Sequence, residues 1–309
     1  MHTNSRIFVA GHRGLVGSAI VRSLEGYGYC NIITALKKDV DLRNETETLN
    51  FFESTRPDYV FLAAAHCGGI GDTIKNPVHY LEDNLKIQTN VITSSFKTKI
   101  EKLMLIGSAS VYPRDSKNPI KEESLLCGKM EPANEPYGLA KIVGIKLCQA
   151  YNQQYGTNYI SVNPCNVYGP KDNYDPESSH VIAGLIRRIH EAKKNEKEFV
   201  ECWGTGISRR EFIYVEDLAD ALVFLMNNYN GSEVINVGVG KDVSIKELVA
   251  HIVDVIEYSG EIRWDTSKPQ GITQRLLDTK KLNDLGWKPK TSLDQGLKTA
   301  YEYFKLEEK

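Results

Sequence analysis

A tyrosine and a lysine stand four residues apart in the segment PYGLAKIVGIKL, at Tyr137 and Lys141. On a helix this spacing places both side chains on one face. A tyrosine hydroxyl ordinarily has a pKa of about 10, and a neighbouring ammonium group favours the phenolate and lowers that pKa. Such a pair can donate a proton to a carbonyl oxygen while a hydride reaches the carbon. Ser108, in the segment GSAS, could hydrogen-bond the same oxygen.

Three glycines, Gly11, Gly14 and Gly17, form G-x-x-G-x-x-G between an apolar run and a helical pattern. A bound pyrophosphate needs a tight turn, close approach of the backbone and a helix N-terminus directed at its charge. The pattern alone is weak evidence, and a glycine-rich turn without a ligand is the alternative. Its position at the first strand–helix turn predicts a dinucleotide site.

The residues after the second strand indicate which dinucleotide binds. A carboxylate at the end of that strand would bind the ribose 2′-hydroxyl of NAD. Here the strand runs into ALKK (residues 35–38), and the glycine loop contributes Arg13. Because Arg13 and Lys37 suit a 2′-phosphate, we expect NADPH. Asp39 and Asp41 follow, and we expect them near the adenine edge.

Apolar runs alternate with helical patterns through the first half of the chain. This alternation predicts an α/β fold with an NAD(P)-binding, Rossmann-type, doubly wound parallel sheet, which presents Ser108 at the carboxyl end of its fourth strand. The expected strands span residues 6–10, 31–34, 58–65, 102–110 and 158–164, and the expected helices include residues 44–55, 84–96 and 136–156.

The second half is less regular, and we expect a smaller C-terminal α+β substrate domain there. A change of composition after residue 164 predicts a cofactor domain over 1–164, with return segments near 211–240, and a substrate domain over 165–309. The charge run at 193–198 is interpreted as a solvated helix end. The other expected elements are helices at 217–228 and 244–256 and strands near 199–203, 211–215 and 234–237.

Composition excludes several classes of protein. The 309 residues are 41% hydrophobic and 25% charged, with a net charge of −2, so neither disorder nor a global nucleic-acid or anionic-membrane role is expected. No apolar run reaches the roughly 18 residues of a transmembrane helix, and the N-terminus leaves no room for a signal peptide. Six scattered cysteines predict no metal site, no disulfide framework and a reducing cytoplasm.

Several motifs together resemble the extended short-chain dehydrogenase/reductases, and within them the GDP-L-fucose synthase subfamily, which epimerises and reduces GDP-4-keto-6-deoxymannose. The motifs are GHRGLVGSAI, LAAA, GSASVYP, NEPYGLAKIVGIKLCQAYNQQYG, NPCNVYGPKDN, SHVI, IRR, WGTG and RREFIYVEDLA. The resemblance implies Ser108, Tyr137 and Lys141 as a reductive triad, a GDP-sugar on the C-terminal domain, and a homodimer joined through residues 84–96 and 138–155. The cofactor residues that it implies are Gly11, Arg13, Gly14, Leu15, Val16, Gly17, Lys37, Asp41, Leu42, Ala63, Ala64, Ala65, Lys141, Pro164, Asn166, Val167 and His180.

The chain departs from that subfamily at one catalytic position. The fucose synthases pair a cysteine, two residues after the serine, with a histidine as acid and base for epimerisation; here the cysteine is replaced by Ser110, whereas His180 persists. A thiol with a pKa of about 8.5 can move protons near neutrality, but an alkyl hydroxyl has no comparably accessible anion. We therefore expect epimerase activity to be lost. His66, Cys67 and Cys165 lie near the expected crevice, where packing is the favoured interpretation and a substitute epimerase role, for His66 and Cys67 or for Cys165, is the alternative.

A nucleoside diphosphate needs cations, and planar arginine suits phosphate. Arg188 and Arg210 match the subfamily's substrate contacts, although interdomain ion pairs are the alternative. Gln270 stands where the subfamily usually carries Asp, which suggests a different sugar. The substrate residues implied are Ser108, Ser110, Tyr137, Asn166, Arg188, Trp203, Arg210, Gln270 and Arg275.

The sequence thus favours an NADPH-dependent reductase of the C4 ketone of a GDP-4-keto hexose or heptose. A bifunctional 3,5-epimerase/4-reductase, which would use His180 with Ser110 or another cysteine, is the second hypothesis. A non-catalytic dinucleotide-binding regulator is the third, and the intact triad argues against it.

Overall fold

A computed structural model describes residues 1–267 and 271–308. Its largest sheet has six parallel strands in the order β2-β1-β3-β4-β5-β9. Five of them are buried along their whole length, as expected for strands covered by helices on both faces. The six are β1 (Ile7–Ala10), β2 (Ile32–Ile33), β3 (Tyr59–Leu62), β4 (Lys102–Ile106), β5 (Tyr159–Pro164) and β9 (Ile235–Val237).

Helices connect these strands and cover the sheet. The Asn44 side chain accepts the Glu47 N–H and caps the second helix, as the sequence predicts. The fifth helix ends at Gly156, which adopts a left-handed conformation. These helices are α1 (Leu15–Gly26), α2 (Glu45–Thr55), α3 (Ile70–Lys75), α4 (Asn84–Lys97), α5 (Glu135–Tyr155) and α7 (Val215–Asn228).

The remaining strands form two small sheets. Strand β8 (Arg209–Tyr214) pairs with β6 (Asn166–Tyr168), β10 (Asp242–Ser244) and β12 (Gln274–Arg275), and β7 (Phe199–Trp203) pairs with β11 (Glu261–Asp265). Helices α6 (Val181–Lys194), α8 (Ile245–Ile256) and α10 (Leu293–Glu307) pack with these sheets, whereas α9 (Lys280–Asp284) places Leu282 in the core of the large sheet. Within the described ranges no helix is long and apolar enough to cross a membrane.

Two hydrophobic cores organise these layers. The larger surrounds the six-stranded sheet and includes residues of α7 and β9, so the chain returns to the first sheet after residue 212. The smaller joins α6, α8 and α10 to the faces of β7 and β8. The predicted α/β fold with a doubly wound parallel sheet is confirmed, and the charge run at 193–198 does begin where α6 ends.

The fourth strand differs from its predicted span of 102–110. It ends at Ile106, and residues Ala109–Val111 form a short 3₁₀ turn. The reason is local: the Ser108 hydroxyl accepts the N–H of Ser110 at 3.1 Å and caps this turn. The third strand likewise ends at Leu62 instead of residue 65. No sequence prediction was made for α3, α6, α9, α10 or strands β6 and β10–β12.

Candidate active site

The glycine turn between β1 and α1 is shaped by close backbone contacts. Gly11 has φ +83°, and a Cβ on Gly17 would lie 2.1 Å from the Gly11 carbonyl oxygen. Gly14 occupies the N-cap of α1 without a side-chain cap, so the amides of Leu15 and Val16 face outward in the first turn. The turn therefore offers a helix N-terminus to an anion, with no side chain in the way.

Two exposed cations, Arg13 and Lys37, lie beside this turn, and neither forms an ion pair with a carboxylate of the described part of the chain. Asp41, which the sequence predicts near the adenine edge, is paired with an arginine. Its carboxylate binds Arg43 at 2.6 Å, and Arg43 also contacts Asp83. The hydrogen bond from Arg43 lowers the pKa of Asp41 to about 2. No sequence pattern pointed to Arg43.

Other predicted cofactor residues lie along the same edge of the sheet. Ala63 follows β3, and its N–H donates to the Ala10 carbonyl at 3.1 Å. The Leu42 carbonyl accepts from Asn90, and the Asn166 side chain donates to the Glu211 carbonyl at 2.9 Å. Ala64 and Ala65 follow β3, Pro164 ends β5, and Val167 is the middle residue of β6.

Ser108 lies just after β4, as the sequence predicts, and its backbone is held from β5. The Ser108 N–H donates to the Asn163 side chain at 3.3 Å, and Asn163 in turn donates to the hydroxyl of Tyr112. The Ser108 hydroxyl donates to the Ser110 hydroxyl at 3.1 Å. Ser110 is thus a hydrogen-bond partner of the predicted catalytic serine.

Tyr137 and Lys141 lie in the first two turns of α5, which packs directly against the 3₁₀ turn. A Cβ on Gly138 would lie 2.9 Å from the Ser110 carbonyl oxygen, so only glycine permits this approach. The buried Lys141 ammonium donates to the Ile106 carbonyl at 2.8 Å and lies 5.7 Å from the centre of the Tyr137 ring. Burial lowers the pKa of Lys141 to about 8.

The pKa of Tyr137 moves opposite to the sequence-based expectation. Burial, followed by the negative charge of the nearby Cys67 thiolate, raises it well above its ordinary value. Lys141 does not offset these effects because its ammonium is directed to the Ile106 carbonyl. The phenol therefore stays protonated, which is the form that donates a proton.

The surroundings of Cys67 differ from the packing position that the sequence favoured. Packing was favoured for it, but its thiol is exposed, with Sγ 3.8 Å from Nε2 of His180 and within hydrogen-bonding reach of Tyr137. His66 turns away to the Tyr80 ring, and the buried Cys165 thiol has its pKa raised by burial. The thiol that joins the site is thus Cys67.

Four of the predicted substrate residues lie on α6 and on the two small sheets, namely Arg188, Trp203, Arg210 and Arg275. Arg188 donates to the Glu201 carbonyl at 3.0 Å, and Trp203 is 61% exposed. Arg210 and Arg275 are register partners on β8 and β12, and burial together with Arg210 lowers the pKa of Arg275 to about 10. None of the three arginines is in an ion pair with a described carboxylate, so the ion pairs considered as an alternative are absent from residues 1–267 and 271–308. Gln270 lies outside the described residues.

Arg275 also contacts the catalytic turn. Its guanidinium donates to the carbonyls of Ala109 and Tyr112, which flank Ser110. Strand β12 is therefore hydrogen-bonded, through the Arg275 side chain, to the backbone of the 3₁₀ turn.

The geometry can be compared with known proteins. The profile of the NAD dependent epimerase/dehydratase family matches residues 7–238. GDP-L-fucose synthase 1 of Arabidopsis thaliana is 47% identical over 301 residues, which are 97% of this chain and 93% of that protein. This chain belongs to the NAD dependent epimerase/dehydratase family. The resemblance to extended short-chain dehydrogenase/reductases is thereby confirmed.

Solved structures of the same family match over the whole chain. A GDP-6-OMe-4-keto-L-xylo-heptose reductase from Campylobacter jejuni has a TM-score of 0.95 and 37% identity, and covers 99% of each chain. A GDP-mannoheptose C4 reductase from the same organism, with NADP bound, has a TM-score of 0.92 and 38% identity at the same coverage.

The contact between Gly17 and Gly11 can be tested by stability. Gly17→Ala places a methyl group against the Gly11 carbonyl, so we expect a loss of about 1–3 kcal/mol in the free energy of unfolding in urea. Gly26→Ala is the matched control on the same helix, because its Cβ would meet nothing within 4 Å. It should be neutral or stabilise by up to about 1 kcal/mol. Equal effects of the two variants would contradict the close-approach argument.

Proposed function

We propose that this chain is an NADPH-dependent reductase of the C4 ketone of a GDP-4-keto sugar. The observation that carries the proposal is the close approach of the first turn of α5, which holds Tyr137, to the 3₁₀ turn that Ser108 caps, at the edge of the sheet that also holds the glycine turn. In open α/β sheets this edge is where ligands bind. Membership of a nicotinamide-dependent family supports the same chemistry.

The chain's own residues fit NADPH. The turn at Gly11, Gly14 and Gly17 has no room for side chains and presents the N-terminus of α1, which suits the pyrophosphate. Arg13 and Lys37 would hold the 2′-phosphate. The bound cofactor supplies the hydride. We assign it to residues 1–164 with the return segments near 211–240, and the GDP-sugar mainly to residues 165–309.

Three side chains divide the work of reduction. Ser108 and Tyr137 hold the C4 oxygen by hydrogen bonds, and Tyr137 donates its proton to that oxygen as the carbon is reduced. The raised pKa of Tyr137 keeps the proton in place until negative charge develops on the ketone oxygen. Lys141 holds the start of α5 against the end of β4 through its hydrogen bond to the Ile106 carbonyl.

Arg210, Arg275, Arg188 and Trp203 are the proposed contacts for the GDP moiety. Neighbouring guanidiniums without carboxylate partners among the described residues favour a diphosphate. The relatives named above are a GDP-L-fucose synthase and two reductases of GDP-heptoses. Their names support a GDP-linked 6-deoxyhexose or heptose as the substrate. Ser110 lacks an accessible anion and donates or accepts only hydrogen bonds, so it does not replace the thiol that fucose synthases carry there.

We further propose a cytoplasmic homodimer. Leu139 and Val143 are 40% and 46% exposed on α5, and Leu147 continues their stripe one turn later, beside α4. Apolar residues at this spacing on an exposed helix suit pairing with the same face of a second copy. Six free cysteines fit a reducing compartment.

The cofactor assignment predicts a large preference for NADPH over NADH. Arg13→Ala and Lys37→Ala should each weaken NADPH binding about 10–100-fold, since each removes a charged hydrogen-bond donor worth about 1.5–3 kcal/mol. NADH, which lacks the 2′-phosphate, is the internal control and should bind the variants as it binds the wild type. Fluorescence titration measures both, and equal wild-type affinities would contradict the assignment.

Tyr137→Phe removes the proton donor but keeps the ring. Reduction of the GDP-4-keto sugar should fall about 10²–10⁴-fold, while NADPH affinity changes little. Tyr155→Phe makes the same change at the far end of α5 and should leave turnover unchanged. NADPH oxidation followed at saturating substrate measures both, and near wild-type turnover of Tyr137→Phe would assign the proton to another group.

The dimer proposal predicts that Val143→Glu converts the protein to a monomer, because it places a charge within the apolar stripe. Leu306→Glu makes the same change at an exposed apolar residue of α10 and should leave the mass unchanged. Light scattering after size exclusion gives the masses. A monomeric wild type, or a dimeric Val143→Glu, would overturn the proposal.

A further inference from the structure

The active site contains a thiol that the reduction of a ketone does not use. Cys67 follows β3, and its Sγ lies 3.8 Å from Nε2 of His180, a residue 113 positions away at the N-cap of α6. The contact depends on a close approach of two loops. Gly69 donates its N–H to the Ser178 carbonyl at 2.8 Å, and a Cβ on Gly69 would lie 2.4 Å from the Ser179 carbonyl oxygen.

A third side chain completes the group. Asp172 is only 8% exposed; its Oδ1 accepts the Asn173 N–H at 2.8 Å. Its Oδ2 is buried and has no hydrogen-bond partner among residues 1–267 and 271–308. Burial raises the pKa of Asp172 to about 6, and the charge of its carboxylate favours the protonated form of His180.

The electrostatics agree with this geometry. Burial opposes the positive charge of His180. The hydrogen bond and charge of Cys67, followed by the charge of Asp172, outweigh burial and raise the pKa of His180 to about 9. The surroundings also oppose ionisation of Cys67, but His180, followed by Tyr137 and Lys141, holds the pKa of the thiol below its ordinary value. Each residue therefore favours the charged form of the other, the imidazolium of His180 and the thiolate of Cys67. The charged or titratable groups facing Cys67 are His180 from α6, Tyr137 and Lys141 from α5, and Tyr80 from the segment before α4.

We propose that Cys67 and His180, with Asp172 as the positioning residue, form a proton-exchange unit that acts on a carbon next to the C4 ketone. The inference rests on the proposed function, because the thiol interacts with Tyr137, whose hydroxyl binds the ketone oxygen in that function. Cys67 is thereby placed beside the residue that holds the ketone oxygen, and the carbonyl acidifies the hydrogens of the two carbons next to it. The thiol that fucose synthases carry at the position of Ser110 has a counterpart here in the segment that follows β3.

The step balances without a redox partner. The Cys67 thiolate removes the α-hydrogen as a proton, and the C–H electron pair moves toward the carbonyl to give an enolate whose oxygen is held by Ser108 and Tyr137. His180, which is protonated in the resting pair, first releases its own proton to solvent and then accepts the proton from Cys67. Return of a solvent-derived proton through the same two groups restores the sugar with the hydrogen exchanged.

The contact also limits what the unit can do. At 3.8 Å, no sugar ring fits between Cys67 and His180, so both act from one side of the ring. We therefore expect solvent exchange at C3 or C5 with retention of configuration.

The first test needs no substrate. Iodoacetamide should alkylate Cys67 at pH 6 at least about tenfold faster than the exposed Cys127, because an ordinary thiol with a pKa of about 8.5 is mostly protonated there. His180→Asn should abolish this advantage, and Asp172→Asn should shift the pH profile of Cys67 alkylation to higher pH without abolishing it. Peptide mass spectrometry gives each rate. Equal rates for Cys67 and Cys127 in the wild type would overturn the proposed pair.

The second test measures exchange directly on the GDP-4-keto sugar that the wild type reduces with NADPH. With NADP⁺ in D₂O, the wild type should place deuterium at C3 or C5 faster than an enzyme-free control, as seen by NMR. Cys67→Ser should lower this rate about 10²–10⁴-fold, and Cys127→Ser should not change it. Reduction without exchange would overturn this inference and leave the proposed function standing, whereas failure to reduce any GDP-4-keto sugar would overturn the proposed function itself.

Discussion

The close approach of the first turns of α5 to the end of β4 is the constraint on which the rest of the site depends. Gly138 permits the contact with the Ser110 carbonyl, and the buried Lys141 ammonium fixes it through the Ile106 carbonyl at 2.8 Å. A buried, charge-assisted hydrogen bond is costly to break because the lysine would lose its partner without regaining water. Ser108 and the helix turn that holds Tyr137 are consequently fixed beside the same 3₁₀ turn.

The small sheet around β8 is connected to the 3₁₀ turn through Arg275 of β12. Its guanidinium contacts the backbone of the 3₁₀ turn while its register partner Arg210 lies beside it on β8. In the proposed function, the diphosphate of the substrate is bound next to a residue that itself supports the catalytic turn. Binding energy from the nucleotide, remote from the reacting carbon, can then help to orient the ketone against Ser108 and Tyr137.

The sequence predicted what local patterns encode. The alternation of apolar runs and helical periods was enough for the doubly wound sheet, and the spacing of Tyr137 and Lys141 for their shared helix face. It could not predict the contact between Cys67 and His180, which depends on two loops 113 residues apart, or the hydrogen bond from Arg275 to a carbonyl 166 residues away. Its expectation for the pKa of Tyr137 failed because it counted the charge of Lys141 but not burial or Cys67.

The central claim is that the site delivers hydride to C4 of a GDP-4-keto sugar. The most direct measurement supplies NADPH carrying deuterium at the transferable position of C4 of the nicotinamide, with GDP-4-keto-6-deoxymannose and the GDP-4-keto-heptoses as candidates, and locates the label by NMR. The account predicts one deuterium per product molecule, at C4 of the sugar and in a single configuration. Oxidation of NADPH with no label in the sugar, or with label at another carbon, would contradict it.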